Sequence, residues 1–246
     1  MPADTPVALV TGSARRLGAA IARTLHAAGY SVALHCGHSR AEADALAASL
    51  EGQRAGSTRV LQADLTQFDR LPELVAQTVG HFGRLDALVN NASAFFPTPV
   101  GEATPAQWDA LFGANARAPF FLAQAAAPHL RATRGAIVNL VDIHGERPLQ
   151  GHALYGMSKA ALLYMTRALA LELAPEVRVN AVSPGAILWP DAGKDDAAKR
   201  AMLERTPLGR TGTPEEVAEA VHWLLRDATY TTGQVLRLDG GRMLEG

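Results

Sequence analysis

Short apolar, β-favouring runs recur along the chain, and longer segments with helical spacing lie between them. The runs are Val7–Thr11, Ser31–Cys36, Arg59–Ala63, Ala87–Asn90, Gly135–Leu140, Val177–Val182 and Val235–Leu238. In the intervening segment Leu17–Ala28, Leu17, Ile21 and Leu25 recur on one helical face before Gly29, which can stop the helix. Regular alternation of this kind predicts an α/β fold: a single doubly wound parallel sheet of about seven strands, with right-handed crossovers and helices on both faces. No internal repeat, low-complexity segment or interdomain linker breaks it, and glycine and proline fall between the elements.

One stretch departs from the rhythm. No strand is expected between Pro184 and Arg210, and Asp191–Lys199 is polar. Ligands in open α/β sheets bind at the carboxyl ends of the strands, so 186–210 is expected to form a lid over the substrate.

At 246 residues, 48% hydrophobic and 19% charged, the chain has the size of one domain, 1–246, with a substantial core. A net charge of -1 without a long basic run gives a nucleic acid no electrostatic footing. The single cysteine, Cys36, has no disulfide partner and no metal-ligand spacing around it, and reads as a small buried residue in a reducing compartment. His144, His152 and the other histidines also lack metal-ligand spacing and read as structural or surface residues. Met1–Pro6 carries no basic stretch followed by an apolar one, and no window reaches the roughly eighteen apolar residues of a membrane span. The expectation is a cytoplasmic protein with neither membrane nor nucleic-acid partner.

Candidate chemistry sharpens this picture at two places. Tyr155 and Lys159 stand four apart with Asp142 upstream. On a helix such a pair shares a face, so the ammonium is expected beside the phenol, lowering its pKa toward working pH and making it a proton donor. At the other end, Val7–Val10 runs into Thr11-Gly12-Ser13-Ala14-Arg15-Arg16-Leu17-Gly18, a turn whose glycines admit a pyrophosphate at a helix N-terminus. Asn90-Asn91-Ala92 and Asp64-Leu65 follow strands where a bound nucleotide would pass. The second strand ends in His35-Cys36-Gly37-His38-Ser39-Arg40, without the acid that binds a ribose 2′-hydroxyl. His35, His38, Ser39 and Arg40, with Arg15, offer donors and positive charge suited to a 2′-phosphate, which favours NADPH.

Thr11-Gly12, Asn90-Asn91-Ala92, Asn115, Tyr155 with Lys159, and Ser183-Pro184-Gly185 together resemble the short-chain dehydrogenase/reductase family over nearly the whole chain, with its Rossmann-type fold. Two positions depart from the usual pattern: Arg16 replaces the middle glycine of the turn, and Asp142 replaces a serine. With Asn91–Pro97 and the His35–Arg40 turn, these departures resemble the pteridine reductase branch. That resemblance implies catalysis by Asp142, Tyr155 and Lys159, with Asn115 steadying the lysine through water, and an Arg16 that reaches both cofactor phosphate and substrate. It also implies a Phe95 that stacks on a pterin opposite the nicotinamide, contacts from Ser93, Pro184 and Gly185, and a homotetramer. Trp189 is the expected pocket wall in the lid. Two other functions remain open at this point: reduction of a ketone or 3-oxoacyl thioester with NADPH, and non-catalytic binding of NADPH to regulate a partner.

Overall fold

A computed structural model describes residues 5–187 and 196–244. Seven strands, β1 (Val7–Val10), β2 (Ser31–Cys36), β3 (Thr58–Gln62), β4 (Ala87–Asn90), β5 (Ala136–Leu140), β6 (Arg178–Pro184) and β7 (Val235–Leu238), form one parallel sheet in the order β3-β2-β1-β4-β5-β6-β7. The expected fold class therefore holds, with strand ends within a residue or two of expectation. The largest shift is at β6, which extends through Pro184 because Ser183 and Pro184 lie in register with Arg237 and Leu238 of β7.

Within each strand the pleat sends alternate residues to opposite layers. Val7 and Leu9 of β1 join one core cluster, and Ala8 and Val10 the other. The first layer is closed by α3 (Leu71–Phe82), α5 (Ala118–Thr133) and α6 (Ala153–Leu173), the second by α1 (Arg16–Ala27), α2 (Arg40–Glu51) and α8 (Pro214–Arg226). Helix α1 stops as predicted: Gly29 takes φ 99°, and its N–H donates to the carbonyl of His26. Between α4 (Pro105–Phe112) and α5 the chain widens into a π-helical turn, Gly113–Arg117. Such turns mark functional positions more often than plain helix does; this one carries Asn115. Helix α7 (Asp196–Glu204) lies within the 186–210 segment, and its Met202 is buried.

Leu88, fully buried at the centre of β4, tests this layer packing. Leu88→Ala should lower the free energy of unfolding by about 3 kcal/mol, read from urea denaturation. A loss below about 1 kcal/mol would mean that the layer over β4 is open.

Candidate active site

The strand order reverses between β1 and β4, which opens a crevice at their carboxyl ends. Two polar side chains lace its floor. The Thr11 hydroxyl accepts the backbone N–H groups of Asn91 and Ala92 at 2.9 and 3.0 Å and donates to the Val89 carbonyl at 3.3 Å. The Asn91 amide donates to the carbonyls of Thr11 and Gly12 at 2.8 and 3.1 Å. Gly12 lies at φ 62°, and a Cβ on Gly18 would come within 2.2 Å of the Gly12 carbonyl oxygen. Only glycine there lets α1 begin against the turn, with its N-terminus at the crevice.

That crevice is the end of a cavity of about 1070 Å³ whose wall includes Gly12, Arg15, Arg16, Leu17, Gly18, Gly37, Ser39, Asn91, Ala92, Ser93, Phe95, Asp142, Tyr155, Lys159, Pro184 and Gly185. Asp142 is the only carboxylate among the described lining residues, against Arg15, Arg16, Lys159 and Arg242. The balance is strongly cationic, and it fits the phosphates of a nicotinamide dinucleotide. Ser39, at the N-cap of α2, makes no side-chain cap hydrogen bond and lines the cavity. Arg16 occupies the left-handed region at φ 51°. A non-glycine residue pays about 1 kcal/mol for that conformation, a cost consistent with a functional side chain at that point.

His35 is corrected. It is buried beneath the turn: Nδ1 accepts the Gly12 N–H at 3.1 Å, and Nε2 reaches the Ala63 carbonyl at 3.1 Å. Burial lowers its pKa, so the ring is neutral with its proton on Nε2, and it braces the glycine turn rather than offering charge to a phosphate. Four more expected cofactor residues stand outside the cavity wall. Arg40 is paired with both oxygens of Asp44 at 2.8 and 2.9 Å, and Asp64 holds the N–H and hydroxyl of Thr66. His38 is exposed, and Leu65 belongs to the core.

At the reacting end, the two oxygens of Asp142 divide the work. Oδ1 caps the short turn Ile143–Gly145 by accepting the His144 N–H at 2.8 Å, and Oδ2 accepts the Tyr155 hydroxyl at 2.7 Å. The turn presses on α6: a Cβ on Gly145 would lie 2.9 Å from Leu163 Cδ1 and 3.0 Å from the Lys159 carbonyl carbon. This contact fixes how far Asp142 stands from the phenol. Lys159 is 3% exposed; its ammonium donates to the Leu140 carbonyl at 2.9 Å and lies 5.9 Å from the centre of the Tyr155 ring. The expected lowering of the tyrosine pKa is reversed. Burial, then the Asp142 charge and hydrogen bond, raise it, so the phenol keeps its proton and presents it to the carboxylate. Burial also lowers Lys159 to about 8, partly offset by Asp142.

Asn115 does not touch Lys159. Its Oδ1 accepts from the Ser93 hydroxyl and the Ala94 N–H, and its Nδ2 donates to the Ala94 carbonyl and the Ser158 hydroxyl, which in turn donates to the Tyr155 carbonyl. The asparagine thus ties the loop after β4 to α6. Phe95, 56% exposed, meets Tyr155 edge-on at 4.7 Å and stacks on His152 at 4.8 Å. His152 and His144, which the sequence places as structural or surface residues, both line the cavity, as do Met202 and Arg242. The histidines carried no spacing signal; Arg242 did have one, the Asp239-Gly240-Gly241 turn just before it. Trp189 lies outside the described residues.

A doubly wound sheet with a glycine turn at its switch point and a buried Tyr–Lys pair opening on the same cavity defines a nicotinamide-dependent oxidoreductase. A family profile described as enoyl-(acyl carrier protein) reductase matches residues 12–242. Over 97% of this chain and 96% of the relative, the sequence is 40% identical to pteridine reductase 1 of Leishmania tarentolae. It is also 40% identical to a ketoacyl reductase of the granaticin polyketide synthase of Streptomyces violaceoruber, over 98% of this chain and 97% of that protein. A 3-oxoacyl-acyl-carrier-protein reductase of Staphylococcus epidermidis is 36% identical over 95% of this chain and 97% of its own length. The chain belongs to the short-chain dehydrogenase/reductase family, whose members use NAD(P)H.

The buried lysine gives a pH signature. Its ammonium, with a pKa near 8 in the free protein, is lost as pH rises through that value. The alkaline limb of kcat/KM should therefore bend near pH 8 and disappear in Lys159→Arg, whose guanidinium stays charged. An identical limb in that variant would assign it to another group.

Proposed function

We propose that the chain reduces a pterin with NADPH, converting a dihydropterin to a tetrahydropterin. The observation that carries this reading is the 2.7 Å hydrogen bond from Tyr155 to Asp142 inside the cavity. A carboxylate beside the phenol suits a substrate whose ring nitrogens are basic and must gain a proton. Next to the developing oxyanion of a reduced ketone it would repel.

The glycine turn, Arg15, Arg16, Ser39 and Lys159 would hold NADPH, which when bound would supply a hydride to the carbon of the ring C=N bond. The adjacent nitrogen then takes one proton from the Tyr155–Asp142 pair, so that two electrons and one proton leave with the hydride and one further proton comes from the pair. Lys159, held by the Leu140 carbonyl, stabilises the charge left on the phenol. Phe95 offers a flat apolar face for the ring, and Arg16 and Ser93 offer donors to its edge. The absence of an acid at the end of β2, with Ser39 at the start of α2, supports NADPH over NADH.

Reduction of a 3-oxoacyl thioester is the second reading. It is favoured by the likeness to the ketoacyl and 3-oxoacyl reductases and by the description of the matching family. Turnover followed by NADPH absorbance separates the two: dihydrobiopterin should be reduced and an acetoacetyl thioester should not. Tyr155→Phe and Asp142→Ala should each lower kcat by about a hundredfold or more while NADPH binding changes little. Faster turnover of the thioester, or full activity in either variant, would overturn the pterin reading.

We further propose that the chain assembles with itself, as a homotetramer, through the outer face of α4, α5 and α6. Trp108, Phe120 and Tyr164 are exposed there around a second cavity of about 500 Å³ lined by Phe112, Phe121 and Met165, an apolar surface that a second subunit would cover. Sedimentation should show a tetramer, and Tyr164→Glu should shift it toward smaller species; a wild-type monomer would exclude the assembly.

A further inference from the structure

Helix α6, which carries Tyr155 and Lys159, begins without a side-chain cap of its own. Its N-cap residue is His152, whose ring makes no cap hydrogen bond, although that position favours short side chains that accept an N–H of the first turn. The role passes to another loop: the Leu154 N–H donates to the Thr98 hydroxyl at 3.4 Å. The Thr98 N–H donates in turn to the Gly151 carbonyl at 2.7 Å, and Thr98 and His152 form a parallel bridge. The segment after β4 and the start of α6 are therefore joined beside the cavity, and the histidine ring is released for other contacts.

Two such contacts are present. Nδ1 of His152 lies 3.0 Å from the Gln150 carbonyl, an oxygen that can only accept, so Nδ1 carries a proton and the ring is held in place. The ring also stacks on Phe95, with centroids 4.8 Å apart and planes 16° from parallel. Both residues line the cavity that holds the Tyr155–Asp142 pair.

The main chain around Phe95 is anchored on both sides. Asn115 binds the N–H and the carbonyl of Ala94 at 2.8 and 2.9 Å, and Thr98 is tied to Gly151. The Phe95 ring is nevertheless 56% exposed, and the aromatic contacts that steady it are those with His152 and Tyr155. Tyr155 is committed to Asp142. A ring steadied in advance loses less freedom when a ligand stacks on it, so support from His152 converts into affinity.

We propose that His152 is a positioning residue: it backs Phe95 as the rear layer of a stack whose front layer is the flat heterocyclic ring of the substrate, and it thereby sets the affinity for such rings. This inference rests on the pterin reading for the ring and adds the residue that tunes its binding through Phe95. The edge contact between Phe95 and Tyr155 keeps a ring stacked there beside the phenol that supplies its proton.

The test separates a ring partner from a helix cap. At saturating NADPH, His152→Ala should raise KM for dihydrobiopterin about fivefold and change kcat less than about twofold. His152→Phe, which restores a flat ring, should bring KM back to within about twofold of wild type. His152→Asn, a better cap without a ring, should leave KM raised. An unaltered KM for NADPH shows that each variant is folded. An unchanged dihydrobiopterin KM in His152→Ala, a KM that Asn restores or that Phe does not, or a fall in kcat with a matching rise in KM for NADPH would overturn the proposal.

A binding arm keeps its failure apart from failure of the pterin reading. 2,4-Diaminopteridine is titrated by calorimetry into wild type and variants saturated with NADP, where no hydride is on hand. Binding about fivefold weaker in His152→Ala and restored in His152→Phe supports the stack even if no dihydropterin is reduced. Equal binding in wild type and His152→Ala, or none in wild type, removes it.

Discussion

The reversal of strand order between β1 and β4 is the constraint from which the site follows. At that one place the crossovers leave in opposite directions, and a crevice opens at the strand ends. The gap would be a weakness without the lacing of Thr11 and Asn91, which joins the two strand ends through side chains where the sheet's own ladder stops. The same lacing sets the start of α1 at the rim of the cavity. His35 adds a brace from β2, so three neighbouring strands hold one turn.

The reacting end shows how little room the chemistry has. Asp142 cannot shift toward or away from Tyr155 without also moving the Ile143–Gly145 turn, which is packed on α6 through Gly145. Asn115 connects the same helix to the loop carrying Ser93 and Phe95. Lys159, Tyr155 and the ring platform are therefore set by one rigid helix and its two immediate supports, with the charge of the lysine buried among them.

Much of the architecture was legible because strand and helix periodicities differ and the apolar runs are short. The Tyr155, Lys159 and Asp142 positions were legible too, since spacing on α6 brings two of them to one face. Sequence could not rank two uses of one residue type. A histidine after a strand reads equally as a phosphate donor or an internal brace, and only the 3.1 Å contacts of His35 on both sides decide it. Nor does the sequence show that Asp142 serves two partners at once, one oxygen capping a turn and the other meeting the phenol. The expected lowering of the tyrosine pKa failed because spacing gives proximity and not solvation; burial and the Asp142 carboxylate raise it instead. Arg242 is marked in the sequence only by the Asp239-Gly240-Gly241 turn before it, and the fold brings it to the cavity from beyond the last strand.

Arg16 carries a longer-term consequence. Its backbone conformation is one in which glycine is at ease and arginine is strained, and its side chain lines the cavity. Replacement by glycine would relax the fold while stripping a cation from the ligand's surroundings. Selection for thermal robustness and selection for catalytic performance therefore pull this codon in opposite directions, and lineages drifting toward either trait should diverge here first.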